Sequence, residues 1–220
     1  MPVSLTPSLF VFDLDGTLVD SRRDIAESAN AVLDACGGTP HSEEAIGGMV
    51  GDGAALLIAR AFTAANLPLP ADALQQFLRV YDSRLLRHTV AYEGMTELLD
   101  TLAARGTLAV LTNKPIGATQ AILDGLGLAP YFADLVLGGD GPHPRKPEAA
   151  GLLQLMARTR SVPERTLMIG DSVVDFRTAV AAGTRACVCR YGFGHHDFPM
   201  AEIRPSDSVI DHPLELLTSL

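Results

Sequence analysis

The segment Leu9–Ser21, LFVFDLDGTLVDS, runs four apolar residues straight into two carboxylates, Asp13 and Asp15, with Gly16 directly after. Charge does not normally end a buried run, because a desolvated carboxylate is costly unless it is paired. Similar endings recur. Thr112, Asn113 and Lys114 follow the apolar run Leu108–Thr112. Asp140, Arg145 and Lys146 follow Leu135–Leu137, and Asp171, Ser172 and Asp175 follow Thr166–Ile169. Carboxylates brought together repel one another unless a cation neutralises them. Oxygen ligands with few nitrogen or sulfur partners suit a hard cation, and Mg²⁺ is the usual one where phosphate is handled.

These residues need a scaffold that gathers them. The apolar runs, with Ala186–Cys189 added, do not alternate with polar residues, which suits a parallel sheet covered on both faces. Between them Gly94–Ala104, Ile116–Leu126, Pro147–Thr159 and Ser172–Ala182 read as amphipathic helices, and Gly106, Gly127 and Gly183 stand where helix C-caps are expected. Alternating strand and helix predicts an α/β fold, a doubly wound, mostly parallel sheet. Such sheets bind ligands at the carboxyl ends of their strands, which places all the polar groups above on one edge.

Between the first and second runs the rhythm breaks. Ser21–Cys36, Glu43–Gly47, Ala54–Ala65 and Ala71–Leu86 read as four helices with no strand among them, punctuated by Gly37-Gly38, Pro40 and Leu67–Pro70. A helical block at that place predicts an insertion. It divides the chain into an α/β core of residues 1–18 and 89–220 and an all-helical unit of residues 19–88.

Each polar group has a plain structural use when taken alone. Asp15-Gly16 is a common turn pair, Asp171 and Ser172 suit a helix N-cap, and Lys146 could be solvated ahead of a helix. Taken together, three acids, a hydroxyl and a lysine on one sheet edge would need a coincidence at every strand. The Gly-rich loop YGFGHHDF, with His195 and His196, is read as solvated, with a rim contact near the site as the alternative.

Composition narrows the partners. The chain has 220 residues, 47% hydrophobic and 20% charged, with a formal net charge of −9 and a pI near 5.0. An acidic surface disfavours nucleic acid and anionic lipid, so neither is expected as a partner. A phosphate site in such a chain must bring its own positive charge. Three cysteines, Cys36, Cys187 and Cys189, make no disulfide scaffold, and no stretch is apolar for about 18 residues. The N-terminus has no signal-peptide pattern, so the expectation is a cytoplasmic protein. The sequence leaves the oligomeric state open.

The ordered motifs DLDGTLVDS, LTNKP, RKP and GDSVVD, spanning Asp13 to Asp175, resemble those of the haloacid dehalogenase superfamily of phosphohydrolases. Within it, LTNKP, the segment VGDGAALLIARA and the late YGFG are similar to the phosphoglycolate phosphatase group. The resemblance implies a Rossmann-like core with a helical cap inserted after the first motif. It implies hydrolysis of a small phosphorylated metabolite, 2-phosphoglycolate foremost, through an aspartyl-phosphate. Asp13 would be the nucleophile. Asp15 would be the general acid and base, with a pKa raised by the neighbouring acid and partial burial. Thr112, the Asn113 amide and Lys146 would hold the phosphoryl oxygens. Mg²⁺ would be bound by Asp13, Asp171 and the Asp15 main-chain carbonyl. Asp175 and Ser172 would stand behind these, and Gly51 and Gly53 of the cap would face the substrate. Other members of the superfamily (pyrophosphatases, sugar-phosphate phosphatases, phosphomutases) share the motifs. Signalling receivers and non-catalytic interaction proteins are rivals of other classes. The motif departs from many relatives in having Pro147-Glu148-Ala149 after Lys146, where they have Pro-x-Pro.

Overall fold

The computed structural model describes residues 6–195 and 198–220, so His196 lies outside the described residues. In chain order the elements are β1 Leu9–Phe12, β2 Val19–Asp20, α1 Arg22–Ala35, α2 Glu43–Gly47, α3 Ala54–Ala64, α4 Ala73–Asp82, β3 Val90–Ala91, α5 Met95–Ala103 and β4 Thr107–Leu111. There follow α6 Ile116–Gly125, β5 Val136–Leu137, α7 Ala150–Thr159, β6 Thr166–Gly170, α8 Val173–Ala182, β7 Arg185–Cys189, β8 Ser208–Ile210 and α9 Leu216–Ser219.

Six strands form one sheet in the order β5-β4-β1-β6-β7-β8, and every pairing in it is parallel. The unbroken apolar runs follow from burial on both faces. In β1, Phe10 and Phe12 pack with Met95, Leu98, Leu102 and Ile122 on one side. Leu9 and Val11 pack with Leu152, Leu155 and Phe176 on the other. β1 is flanked by β4 and β6, with Phe12 opposite Val110 and Ile169. The Asp13 N–H donates to the Ile169 carbonyl at 2.9 Å, so the ends of these strands are locked side by side. This is the point of a doubly wound sheet at which connections leave in opposite directions and open a crevice.

Helices α1–α4 stand between β2 and β3 and build a core of their own from Ile25, Val32, Leu33, Ile58, Phe62, Phe77 and Tyr81. Their stem is a two-stranded antiparallel ribbon, with Val19 opposite Ala91 and Asp20 opposite Val90. Two-residue strands leave no periodicity, so the sequence reading did not include this ribbon. It also did not include β8 or α9. Two further expectations are corrected. The helix expected from Pro147 begins at Ala150, so Pro147 stands before the helix rather than in its first turn. Gly106 is not a left-handed cap like Gly183; a β-carbon there would fall 2.5 Å from the Ser8 carbonyl, so close backbone packing selects the glycine. Among the described residues no helix is long and apolar enough to cross a membrane.

The stem is held by Asp24 of α1, which is fully buried. Its Oδ2 accepts the N–H of His88 at 2.8 Å, the N–H of Thr89 at 2.8 Å and the Thr89 hydroxyl at 2.9 Å. Asp24→Ala orphans these donors where water cannot replace the carboxylate. The expected loss is about 2–4 kcal/mol of unfolding free energy, read from the urea midpoint. A change under about 0.5 kcal/mol would mean that the ribbon alone holds the stem.

Candidate active site

The polar strand ends meet where the sheet geometry requires. Asp13 follows β1, Thr112 and Asn113 follow β4, and Asp171 follows β6, while Lys146 comes from the loop between β5 and α7. All five side chains are buried. Lys146 Nζ lies 2.8 Å from Asp13 Oδ1 and 2.6 Å from Asp175 Oδ1. Asp175 is itself fixed by a capping box at the start of α8: Ser172 Oγ donates to Asp175 Oδ2 at 2.6 Å, and the Ser172 N–H donates to the same oxygen at 3.1 Å. One carboxylate thus caps a helix and aims a lysine. Ser172 holds Asp175, and Asp175 in turn holds Lys146.

Asp13, Asp171 and Asp175 each bring a carboxylate oxygen within 4.8 Å of the others. One buried ammonium does not balance three buried acids. Burial pushes the Asp13 carboxyl up to about 6; Lys146 opposes the rise and Asp175 adds to it. Burial also raises Asp171 well above the usual carboxylate range, with Asp175 and Asp13 adding to it, against the N–H groups of Gly194 and Phe193. Asp13 Oδ1 accepts no aligned hydrogen bond among the described residues, although Lys146 is close to it. All-oxygen donors, excess negative charge and an unsatisfied buried oxygen fit a hard divalent cation. Asp175, expected only behind the site, is as near to that point as the two expected ligands.

The Asp15 carboxylate meets a cation as well as the neighbouring acid Asp13. Lys114 Nζ donates to Oδ1 at 2.9 Å and to Oδ2 at 2.8 Å, and the Ser21 hydroxyl donates to Oδ1 at 2.5 Å. Any contact of Asp15 with a cation at Asp13 would fall to its main-chain carbonyl. Gly16 turns the chain with φ +82°, and a β-carbon there would fall 2.0 Å from Asp171 Oδ2. The first motif is glycine here for conformation and for space.

Asn113 is a brace. Its Oδ1 accepts the Lys146 N–H at 2.9 Å, while its Nδ2 donates to the Lys146 carbonyl at 2.9 Å and the Gly51 carbonyl at 2.8 Å. The Thr112 hydroxyl accepts the Lys114 N–H at 3.2 Å, a use of its lone pair that leaves the O–H to donate. Gly51 and Gly53, both at positive φ, carry the helical block onto the core, and Gly53 is the N-cap of α3. The cleft under this block is lined by Asp13, Asp15, Thr112 and Lys114 on the core side. Ile25, Leu57, Phe77, Leu78 and Tyr81 line it on the other.

Three contributors escaped the sequence reading. The YGFG loop is not solvated: Phe193 is buried, and the N–H groups of Phe193 and Gly194 donate to Asp171 Oδ2 at 2.9 and 2.7 Å. His195 contacts the Gly192 carbonyl through Nδ1 at 2.9 Å. From the sequence Lys114 is a strand-end residue with no assigned role, and Tyr81 is an unassigned position of the helix read over Ala71–Leu86. A lysine directly after Thr-Asn at a strand end, with acids at the next strand, was the available signal.

A family model for haloacid dehalogenase-like hydrolase matches residues 7–183. The chain is 41% identical over 206 residues to "Phosphoglycolate phosphatase" of Rhodospirillum rubrum, covering 90% of this chain and 84% of that one. It is 38% identical over 210 residues to the Agrobacterium fabrum protein of the same name, covering 92% and 88%. A solved structure described as a predicted phosphoglycolate phosphatase from Haemophilus somnus superposes with a TM-score of 0.87 at 31% identity, covering 96% of this chain and 97% of that one.

The charge imbalance makes stability depend on pH and on cations. Asp13 binds its proton more tightly folded, near 6, than at its ordinary 3.8, so without a cation stability falls as pH rises through that window. That loss is on the order of 1–3 kcal/mol, and it persists at higher pH. Mg²⁺ should therefore raise the thermal midpoint more at about pH 7.5 than at about pH 4.5. Asp171→Ala should remove most of the difference. Equal shifts at both pH values would rule out the cluster as the cation site.

Proposed function

Because the chain belongs to the haloacid dehalogenase-like hydrolases, we propose that it is a Mg²⁺-dependent phosphatase of small phosphate monoesters, 2-phosphoglycolate foremost. The observation that carries this reading is Lys146 held between Asp13 and Asp175 at 2.8 and 2.6 Å, with Asp171 alongside and Asp13 itself lining the cleft. The names of the relatives from Rhodospirillum rubrum and Agrobacterium fabrum support the choice of substrate.

In this reading an Asp13 carboxylate oxygen attacks the phosphorus. The bond from phosphorus to the ester oxygen breaks, and an aspartyl-phosphate forms on Asp13. Asp15 gives the leaving oxygen its proton. Water then attacks the same phosphorus and returns a proton to Asp15. The bond to Asp13 breaks, the carboxylate is restored, and the products are an alcohol and phosphate. Lys146 offsets charge on the phosphoryl oxygens, aimed by Asp175, which Ser172 holds. The Thr112 hydroxyl and Asn113 keep the phosphoryl group in line. Asp13, Asp171 and the Asp15 main-chain carbonyl would hold Mg²⁺, with Asp175 adjacent, and the ion would supply the positive charge that lets an anion approach a phosphate dianion.

Residues 19–88 act as the cap, with Gly51 and Gly53 at its seam with the core of residues 1–18 and 89–220. The cap side of the cleft is mainly apolar, which suits a short substrate better than a sugar phosphate whose hydroxyls would go unpaired. Free thiols at Cys36, Cys187 and Cys189 suit the cytoplasm.

With Mg²⁺ present, kcat/KM for 2-phosphoglycolate should exceed that for pyrophosphate and hexose phosphates by at least about tenfold, measured by released phosphate. Comparable turnover of all three would discard the substrate. Asp13→Asn should lower kcat at least ~10³-fold and leave the urea midpoint unchanged or higher, since it removes a buried charge. Activity near wild type would discard the nucleophile.

A further inference from the structure

Two cleft residues are left unexplained by phosphoryl transfer. Lys114 is 8% exposed and Tyr81 is 3% exposed. Tyr81 reaches the cleft from α4, and its hydroxyl takes no aligned hydrogen bond among the described residues, although it interacts with the Lys114 ammonium. Lys114 Nζ stands 4.5 Å from the centroid of the Tyr81 ring, and Phe77 stacks on the same ring at 5.6 Å. An ammonium has three donors. Two point at Asp15 Oδ1 and Oδ2, which leaves a third.

The location decides what that donor is for. Lys146 and the cation cluster already answer the charge of the phosphoryl group. Lys114 is instead bonded to Asp15, the residue assigned to the leaving oxygen, so it stands on the leaving-group side. Among the described residues lining the cleft, Lys114 is the sole cation. The neighbouring wall of Ile25, Leu57, Phe77 and Leu78 offers no polar partner. An anion on the leaving group would meet Asp13, Asp15 and a chain of net charge −9 unless a cation received it. A neutral polyol would leave its hydroxyls unpaired against hydrocarbon.

We propose that Lys114, with the Tyr81 hydroxyl beside it, receives a carboxylate on the leaving group, so that the cleft selects small phosphate esters that carry a second anion which is not transferred. The inference rests on the phosphatase reading and gives it a substrate class and two specificity-determining residues. Lys114 divides its donors between Asp15 and the incoming carboxylate, and the tyrosine supplies a neutral donor from the cap. The opposing possibility is that Lys114 only holds Asp15 in place.

The test compares 2-phosphoglycolate with 2-hydroxyethyl phosphate, which has a hydroxymethyl group in place of the carboxylate. Wild type should favour the carboxylate ester in kcat/KM by about 10- to 100-fold, the worth of one or two charge-assisted hydrogen bonds. In Lys114→Met the preference should collapse to within about threefold, through KM for the carboxylate ester. Tyr81→Phe keeps the ring under Lys114 and should reduce the preference by about 3- to 10-fold, which preserves the test if the lysine variant does not fold. Equal slowing of both esters by Lys114→Met, or by Tyr81→Phe alone should the former be unfolded, would overturn the proposal. If wild type hydrolyses both esters equally well, the carboxylate assignment falls while the phosphatase reading stands. If wild type releases phosphate from neither, the phosphatase reading itself fails and takes this inference with it.

Discussion

Three buried carboxylates face one buried ammonium at the carboxyl edge of the sheet, and the rest of the molecule is arranged around that imbalance. Asp13, Asp171 and Asp175 could not be held this close in a dry setting by Lys146 alone without a steep electrostatic penalty. The scaffold forces the encounter. β1 and β6 are hydrogen-bonded neighbours, so the residues that end them cannot separate. The α8 capping box fixes Asp175, and two loop N–H groups fix Asp171. Each constraint is neutral hydrogen bonding or apolar packing, and together they keep the carboxylates in place. The resulting shortage of positive charge fits a hard divalent cation.

The cleft divides the remaining work between two sources. The core supplies charge on short, braced side chains at strand ends. The helical block supplies hydrocarbon and a tyrosine on helices packed around their own core. Asn113 joins the two, since one side-chain amide grips the Lys146 backbone on both sides and the Gly51 carbonyl of the block. The contact between the block and the core therefore runs through the same segment that presents Lys146.

The sequence disclosed the core well because burial and chemistry both leave marks there. Leu9–Phe12 could be read as a strand covered on both sides because nothing in it alternates, and Asp13 stood out because it broke that run. The four helices of the insertion were legible to within a few residues at most ends. What was lost has physical reasons. The Val19–Asp20 and Val90–Ala91 ribbon is too short for any period to show. Phe193 and Gly194 act through backbone N–H groups, which every residue possesses, so their hold on Asp171 has no residue-type signature. Tyr81 lies four residues from Phe77 on one helix face and is indistinguishable by pattern from core.

Lys114 shows how far local reading can mislead about a charge. Seen at a strand end, it is one more polar group on the active edge. In three dimensions it sits on Asp15 and adds an attracting cation to the repelling acid that carboxylate already meets. The two lysines thus partition the two first-motif acids, Lys146 with Asp13 and Lys114 with Asp15. Asp13 shares its cation with Asp175 and stands near Asp171, whereas Asp15 has one nearly to itself. Two carboxylates two residues apart in the chain are in this way placed in different electrostatic settings.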